Sequence, residues 1–343
     1  MFSPPALHGM KNLDRSLFHK TINLSAARVS GNQIPLFQRS CHQDVFKVPR
    51  LRSILQDGDD RLILLRPGVL PDDLSTLSTP TRQFISQHSI KIEPYKLELD
   101  YSYWKTDDIL SSILPKHLDE IPGGFTLVGH IAHLNLRDQY LPYKHIIGQV
   151  ILDKNYSVKT VVNKLDIIDS QFRNFQMQVL AGPAEFIVKQ RENNCTFHFD
   201  FSKVYWNSRL ETEHARLIKL FETHGIVCDV FAGVGPFAVP AGKNETFVLA
   251  NDLNPSSYLS LVENIHFNKV GAFVRGYNLD GGDFIRQSPK LAEDLGKTAS
   301  VTVGRLKRKQ DRIIAVPRYI SHYVMNLPAS AIDFLGKYKI SIY

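Results

Sequence analysis

The sequence predicts an α/β protein that ends in a doubly wound parallel sheet, preceded by a small α+β domain and a further N-terminal domain. Three observations carry that expectation. From about Arg209 onward helix-like and strand-like segments alternate, as in successive βαβ units. Within that stretch an apolar strand-like run flows into the glycine turn DVFAGVGPFA, residues 229–238, and then into a helix-like segment. Between Phe125 and Trp206 strand-like runs dominate instead. The last of them places Phe197, Phe199 and Phe201 on one face and His198, Asp200 and Ser202 on the other.

Taken in order, residues 1–112 form a basic, proline-punctuated stretch whose periodicity leaves helix and strand undecided. Pro115, Pro122, Gly123 and Gly124 then mark a linker. The middle domain, 113–208, is read as strands over FTLVGHIAHLNL, IIGQVILD, FQMQVLAG, AEFIVKQRE and TFHFDFSKVYW, with Glu192-Asn193-Asn194 as the turn between the last two. In the last domain, 209–343, a helix is expected over Leu210–Phe221, followed by the strand IVCDVF, the glycine turn with a short helix, and the strand TFVLAND. A second helix opens at Asn254-Pro255, where Asn254 suits the N-cap and Pro255 the first helical position. A strand ending near Asn278-Leu279-Asp280, a polar and basic insertion, and a fourth strand, SHYVMNL, complete the reading.

With 343 residues, 43% hydrophobic and 22% charged, the chain has the composition of ordinary globular domains and excludes a fibre or a disordered tail. Lys and Arg outnumber Asp and Glu by 41 to 34, which fits a polyanionic partner through long-range attraction. Cys41, Cys195 and Cys228 are odd in number and widely spaced, so neither a disulfide framework nor a cysteine metal site is expected. No apolar run approaches the roughly 20 residues of a membrane-spanning helix. The acid-poor N-terminus superficially resembles a mitochondrial transit peptide.

The chemistry concentrates at the glycine turn. Gly233 and Gly235 let the backbone turn sharply and approach a ligand, and Asp252 closes the next strand 17 residues beyond Gly235. That is near the roughly 20-residue spacing of a carboxylate that grips ribose hydroxyls. Asp229, just before the turn, would repel a pyrophosphate and suits a cationic nucleoside ligand such as S-adenosylmethionine, with an ordinary strand-end acid as the plainer alternative.

Several longer segments share a further likeness: FSPPALHGMKNLDRSLFHKT, GHIAHLNLRDQYLPYKHIIGQVILDKN, FRNFQMQVLAG, VKQRENNCTF, DFSKVYWNSRLETEH, DVFAGVGPFAVPA, ANDLNP, NLDGGDFI and VMNLPASAIDFL. Between Phe2 and Leu335 the chain resembles the tRNA (guanine-N1)-methyltransferase family of archaea and eukaryotes, whose target is guanine 37 beside the anticodon. The resemblance implies a Rossmann-like class I methyltransferase domain, S-adenosylmethionine as cofactor, tRNA as partner, a monomer, no metal, and a role in reading-frame maintenance. It implies that residues 1–112 dock the outer corner of the tRNA, leaving little at the N-terminus to be cleaved, and it suggests the mitochondrial matrix, nucleus and cytoplasm as locations.

Carried over by position, the resemblance makes Glu213 the general base, Arg173 the cation that positions the substrate, and Asn326 the site floor. It assigns cofactor contacts to His214, Asp252, Leu253, Asp280, Gly281 and Asn326. Guanine's ring N–H is a poor nucleophile until its proton leaves, so Glu213 would act once desolvated and raised in pKa. Arg173 would then stabilise negative charge developing on the neighbouring carbonyl oxygen. Without the resemblance, a mutual surface ion pair of Arg173 and Glu213 is the plainer reading.

Other features receive structural readings. His130 and His133, three apart on an expected strand, would face opposite sides and share no metal. Tyr205 and Trp206 are expected at a domain interface. The run Arg305, Lys307, Arg308, Lys309, Arg312 and Arg318, opposed only by Asp311, reads as a solvated loop that could contact phosphate. GKYKISIY closes the sequence where family members continue with further strands. A truncated sheet would bare a strand, so tRNA binding through residues 1–112 is expected to exceed methylation. A catalytically impaired tRNA-binding protein is therefore one alternative. A related aminocarboxypropyl transferase is another, although NLPASA favours methyl transfer. As a test of the cofactor reading, Asp252→Ala is expected to weaken S-adenosylmethionine binding by roughly 1.5–3 kcal/mol; unchanged affinity by calorimetry would remove the assignment.

Overall fold

A computed structural model of the chain describes residues 2–118, 120–168, 175–297, 300–305, 308–328 and 330–337. It divides into two compact units, Met1–Gly123 and Gly124–Tyr343.

The first unit is built on an antiparallel sheet of β1 (Lys20–Ser30), β2 (Ile54–Asp57), β3 (Asp60–Leu64) and β4 (Lys91–Leu99), in the order β2-β3-β1-β4. Helices α1 (Ile34–Ser40), α2 (Thr79–His88) and α3 (Thr106–Ile113) accompany it. Ala27, Val29, Phe37, Ile63, Leu65 and Phe84 are among the residues of its core. Part of the basic excess read from the sequence is neutralised within this unit. The Arg28 guanidinium bonds Glu93 at 2.8 Å and Asp57 at 2.7 Å, which holds the Glu93 carboxyl below its usual range. Arg66 reaches the buried Asp44 at 3.0 Å.

The second unit opens with β5 (Thr126–Val128), β6 (Ile131–Leu134), α4 (Lys144–Lys154), β7 (Thr160–Ile168) and β8 (Phe175–Ala181), a mixed sheet in the order β5-β6-β7-β8. The run IIGQVILD, expected as a strand, is helix α4. Its apolar residues at 146, 147, 150 and 151 recur at helical spacing, and all four are buried. Gly148 faces Leu180 so closely that an added Cβ would lie 2.6 Å from the Leu180 side chain, so the helix can lie against β8 only without a side chain there. β6 and β7 are parallel, and such a pair needs a crossover, which α4 provides. FTLVGHIAHLNL is likewise two strands rather than one: Gly129, at φ +56°, breaks it, and His130 sits in the turn.

A tight hairpin follows, β9 (Ile187–Glu192) and β10 (Cys195–Asp200), with Asn193 and Asn194 at φ 46° and 59°. Two consecutive positive φ angles match the twist of the flanking strands and fix Glu192 opposite Cys195. Next come α5 (Glu211–Ile218), β11 (Ile226–Asp229), α6 (Ala238–Lys243), β12 (Phe247–Asn251), α7 (Pro255–Phe267), β13 (Val274–Tyr277) and α8 (Gly281–Gly296). β14 (Ser300–Arg305), β15 (Arg308–Ala315) and β16 (Ile320–Val324) follow, and a 3-10 helix over Ala331–Lys337 closes the described fold. β13, β12, β11 and β16 form, in that order, the expected parallel sheet, with β16 as an outer strand among the described residues. The basic insertion is a helix and a hairpin, not a loop. Backbone pairing joins β14 to β15, Arg318 beyond it is exposed, and Lys307 lies outside the described residues.

Helix α7 opens as the sequence predicts, with Asn254 Oδ1 accepting the Ser256 N–H at 2.9 Å. Its far side covers the free edge of β10. Asn264 Oδ1 accepts the His198 N–H at 2.7 Å, and Asn268 Oδ1 accepts the Thr196 N–H at 3.0 Å. The fit is geometric: four helical residues rise about 6 Å and two strand residues about 6.8 Å. Side chains one helical turn apart therefore meet alternate backbone groups of an edge that would otherwise invite pairing with another chain. Asn264 Nδ2 also donates to the Val234 carbonyl at 3.1 Å, joining the hairpin to the glycine turn. Asn264→Leu would orphan both groups and is expected to cost about 1–3 kcal/mol for each. An unchanged denaturant midpoint would show that these contacts are dispensable.

Candidate cofactor site

The strands of the parallel sheet end on one side at Asp229, Asn251, Tyr277 and Val324, and the loops that follow ring a cavity of about 320 Å³. Gly233 and Gly235 shape its first wall, at φ +55° and +97°. A Cβ on Gly235 would meet Leu261 and Val239 at 2.8 Å, whereas a Cβ on Gly233 would meet nothing within 4 Å. Gly235 is thus required by packing as well as conformation, and Gly233 leaves its backbone open to a ligand.

Asp252 secures this wall from the next strand. Its carboxylate accepts the Gly233 N–H at 2.8 Å and the Asn254 N–H at 2.9 Å. Burial raises its pKa against the opposing pull of these two donors. Asn251, fully buried, straps three segments together: its amide donates to the Val230 and Leu279 carbonyls at 3.1 and 3.0 Å and accepts the Leu279 N–H at 2.8 Å. Leu279 precedes Asp280, which caps α8 by accepting the Gly282 and Asp283 N–H groups at 2.9 and 3.1 Å. Gly281 lies against Phe231, where an added Cβ would approach the ring to 2.6 Å, and Phe231 meets Phe334 edge to face at 5.0 Å.

His214, Asp252, Leu253, Asp280, Gly281 and Asn326 all line this cavity. Glu213 does not. It faces an adjoining cavity of about 370 Å³ whose wall includes His214 and Asn326. The Glu213 side chain is 47% exposed and takes two 2.7 Å hydrogen bonds from Arg216, which lower its pKa. The expected desolvated, raised carboxyl is therefore absent from this conformation, because a guanidinium one helical turn away occupies both oxygens. Arg173 lies outside the described residues, so its pairing with Glu213 is not addressed.

Tyr205, left aside in the sequence reading, lines the cavity, as do Phe231, Pro236 and Phe334. Neighbouring Trp206 also reaches the cavity wall, but it is buried against Phe197 and Phe199. Strand alternation does not reach these two aromatics, because β10 ends at Asp200 and a turn follows. Asp229 departs from its expected role, since it is absent from the cavity wall and fully buried. Neither of its oxygens makes a well-formed hydrogen bond. Burial, then the Asp252 carboxylate, push its pKa up to about 8, outweighing the Phe231 backbone N–H. Close to neutrality it is a largely protonated strand-end acid, not a surface anion facing a cation. Among the described residues no group of three or more His, Cys, Asp or Glu could hold a metal ion, and no helix is long and apolar enough to cross a membrane.

A parallel α/β sheet with a glycine turn after one strand, an acid after its neighbour and a cavity at the carboxyl ends defines a nucleoside-cofactor enzyme of the Rossmann-like class. Comparison with known proteins narrows the class. A family model described as the TRM5/TYW2 methyltransferase domain matches residues 188–295, and one described as the TYW2 N-terminal domain matches residues 106–185. The tRNA (guanine(37)-N(1))-methyltransferase of Schizosaccharomyces pombe is 52% identical over 342 residues, 96% of this chain and 78% of that protein. The enzyme of the same name from Saccharomyces cerevisiae is 43% identical, over 98% of this chain and 78% of its own length. Among solved structures, Trm5b from Pyrococcus abyssi superposes with a TM-score of 0.55 at 25% identity, covering 76% of this chain and 72% of the other. The chain belongs to the tRNA (guanine(37)-N(1))-methyltransferase family.

The buried acid makes a pH-dependent prediction. With a folded pKa of about 8 against the ordinary 3.8 of an aspartate carboxyl, Asp229 retains in the folded state a proton that the unfolded chain releases above about pH 4. The folded state then binds more protons, so this group's contribution to stability declines as pH rises from about 4 to about 8. Asp229→Asn is expected to flatten that decline. Denaturation midpoints of the two proteins that run parallel across the window would refute the assignment.

Proposed function

We propose that this chain transfers a methyl group from S-adenosylmethionine to N1 of guanine 37 in tRNA, the activity named for its 52%-identical relative. The observation that carries the site reading is the convergence of six residues from α5 and three strand ends on one cavity, of a size suited to a small cofactor. S-adenosylmethionine supplies the methyl group on its sulfonium sulfur. Asp252 uses one hydrogen bond per carboxylate oxygen internally and keeps acceptor capacity for ribose hydroxyls. Phe231 and Leu253 offer apolar surface, and Gly281 leaves room for the Phe231 ring in that wall. The fit is therefore one of hydroxyl acceptors and flat apolar walls at strand ends.

For the chemistry, Glu213 is the group that takes the guanine N1 proton. It must first part from Arg216, whose hydrogen bonds block both oxygens and, by favouring the ionised carboxylate, lower its affinity for a proton. Arg173 donates to the guanine carbonyl oxygen as charge develops there. Residues 1–112 dock the tRNA, the chain acts as a monomer, and its sites of action are the mitochondrial matrix, nucleus and cytoplasm.

Methylation of a tRNA transcript by the purified chain, with the product nucleoside identified by mass spectrometry, tests the activity. Glu213→Gln and Arg173→Ala are each expected to slow single-turnover transfer by about 10²-fold or more, with tRNA affinity little changed. A loss confined to tRNA affinity would make them docking residues instead.

A further inference from the structure

Resting on the reading that the cavity takes S-adenosylmethionine, we infer that Glu192 is a positioning residue for the cofactor, acting through His214. The geometry begins with the hairpin. The positive-φ turn at Asn193 and Asn194 fixes Glu192 as the last paired residue of β9, and its side chain is only 1% exposed. Across from it, the His214 side chain on α5 is 4% exposed, and its Nδ1 lies 2.5 Å from Glu192 Oε1. An ionised carboxylate can only accept, so the proton of this bond belongs to Nδ1. Phe237 meets the imidazole at 4.6 Å, nearly edge to face, and limits its rotation.

The other ring nitrogen, Nε2, is buried and has no hydrogen-bond partner. A buried N–H without an acceptor is rarer than an under-used acceptor, which favours the tautomer that leaves Nε2 as an acceptor. His214 forms part of the wall common to both cavities. Nε2 itself is covered in this conformation, so an N–H or O–H of the bound cofactor meets its remaining capacity only as the wall opens at His214, and Glu192 selects the tautomer that can accept it. A carboxylate that orients an imidazole in this way acts on the ligand without touching it.

The test uses the full chain. With ¹⁵N-labelled histidine, the His214 signals, assigned by their loss in His214→Phe, are expected to show the Nδ1–H tautomer, and the Nε2 signal is expected to move on saturation with S-adenosylmethionine. By calorimetry Glu192→Ala should weaken cofactor binding about tenfold or more, while Glu192→Gln, which keeps an acceptor for Nδ1, should stay within roughly threefold of the parent. In a His214→Phe background Glu192→Ala should add little. An Nε2–H tautomer, or an Nε2 signal indifferent to the cofactor, would overturn the inference. So would unchanged affinity in Glu192→Ala with only a lowered melting temperature, which would leave Glu192 as a structural clamp. If Glu192→Ala does not fold, the tautomer and the Nε2 response of the unaltered chain decide. A parent chain that binds no S-adenosylmethionine would overturn the cofactor reading and this inference together, whereas normal parent binding with an indifferent Glu192 overturns this inference alone.

Discussion

The side chain of Asn251 holds the loops of the site in place. A parallel sheet delivers its strand ends side by side, but the loops beyond them have backbone groups that no ladder satisfies. Asn251 supplies what is missing: one amide bonds the loop after β11 and both backbone groups of Leu279, the residue before Asp280. An amide carries donor and acceptor on one rigid plane, so it can complete two loops at once. Because it is fully buried, the energetic cost of losing any of these bonds is high, and the loops are held where the cavity requires them.

Asp252, next in sequence, extends that scaffold into chemistry. Its oxygens cap the glycine turn and the entry to α7 before any ligand arrives. The same carboxylate stands close enough to Asp229 to help keep that buried acid protonated. Burial thus raises both carboxyl groups at these adjacent strand ends, Asp252 against the pull of two backbone donors and Asp229 with the added push of the Asp252 charge. The glycine turn also explains why Asp229 is hidden: the backbone that folds over it is the backbone that the ligand approaches.

Much of this was legible in the sequence where a local rule and the tertiary context agree. Gly233, Gly235, Asp252 and the Asn254 cap have fixed offsets set by strand–turn–helix geometry, and the parallel sheet followed from alternation alone. The run IIGQVILD is a helix where a strand is expected: eight apolar-rich residues are short enough for either, and the 146, 147, 150, 151 spacing together with the need for a crossover between β6 and β7 decides. Trp206 and Tyr205 differ in the opposite way: adjacent aromatics look alike in sequence, and packing against Phe197 and Phe199 buries one and frees its neighbour to line the cavity. The Glu192–His214 bond had no local signal at all, since 22 residues and a change of secondary structure separate its partners.

Glu213 and His214 show how one short helix can serve two environments. Consecutive helical positions point about 100° apart, so α5 turns His214 into the protein and leaves Glu213 at the surface, facing the adjoining cavity. The inward residue is fixed by Glu192, while the outward one is held only by Arg216 on the same exposed face. Exposed pairs of this kind contribute little in water, little enough for an incoming nucleotide to displace. The helix therefore combines a rigid cavity wall with a carboxylate that is free to change partners. The base role proposed for Glu213 requires that freedom, whereas the cofactor contact proposed for His214 does not.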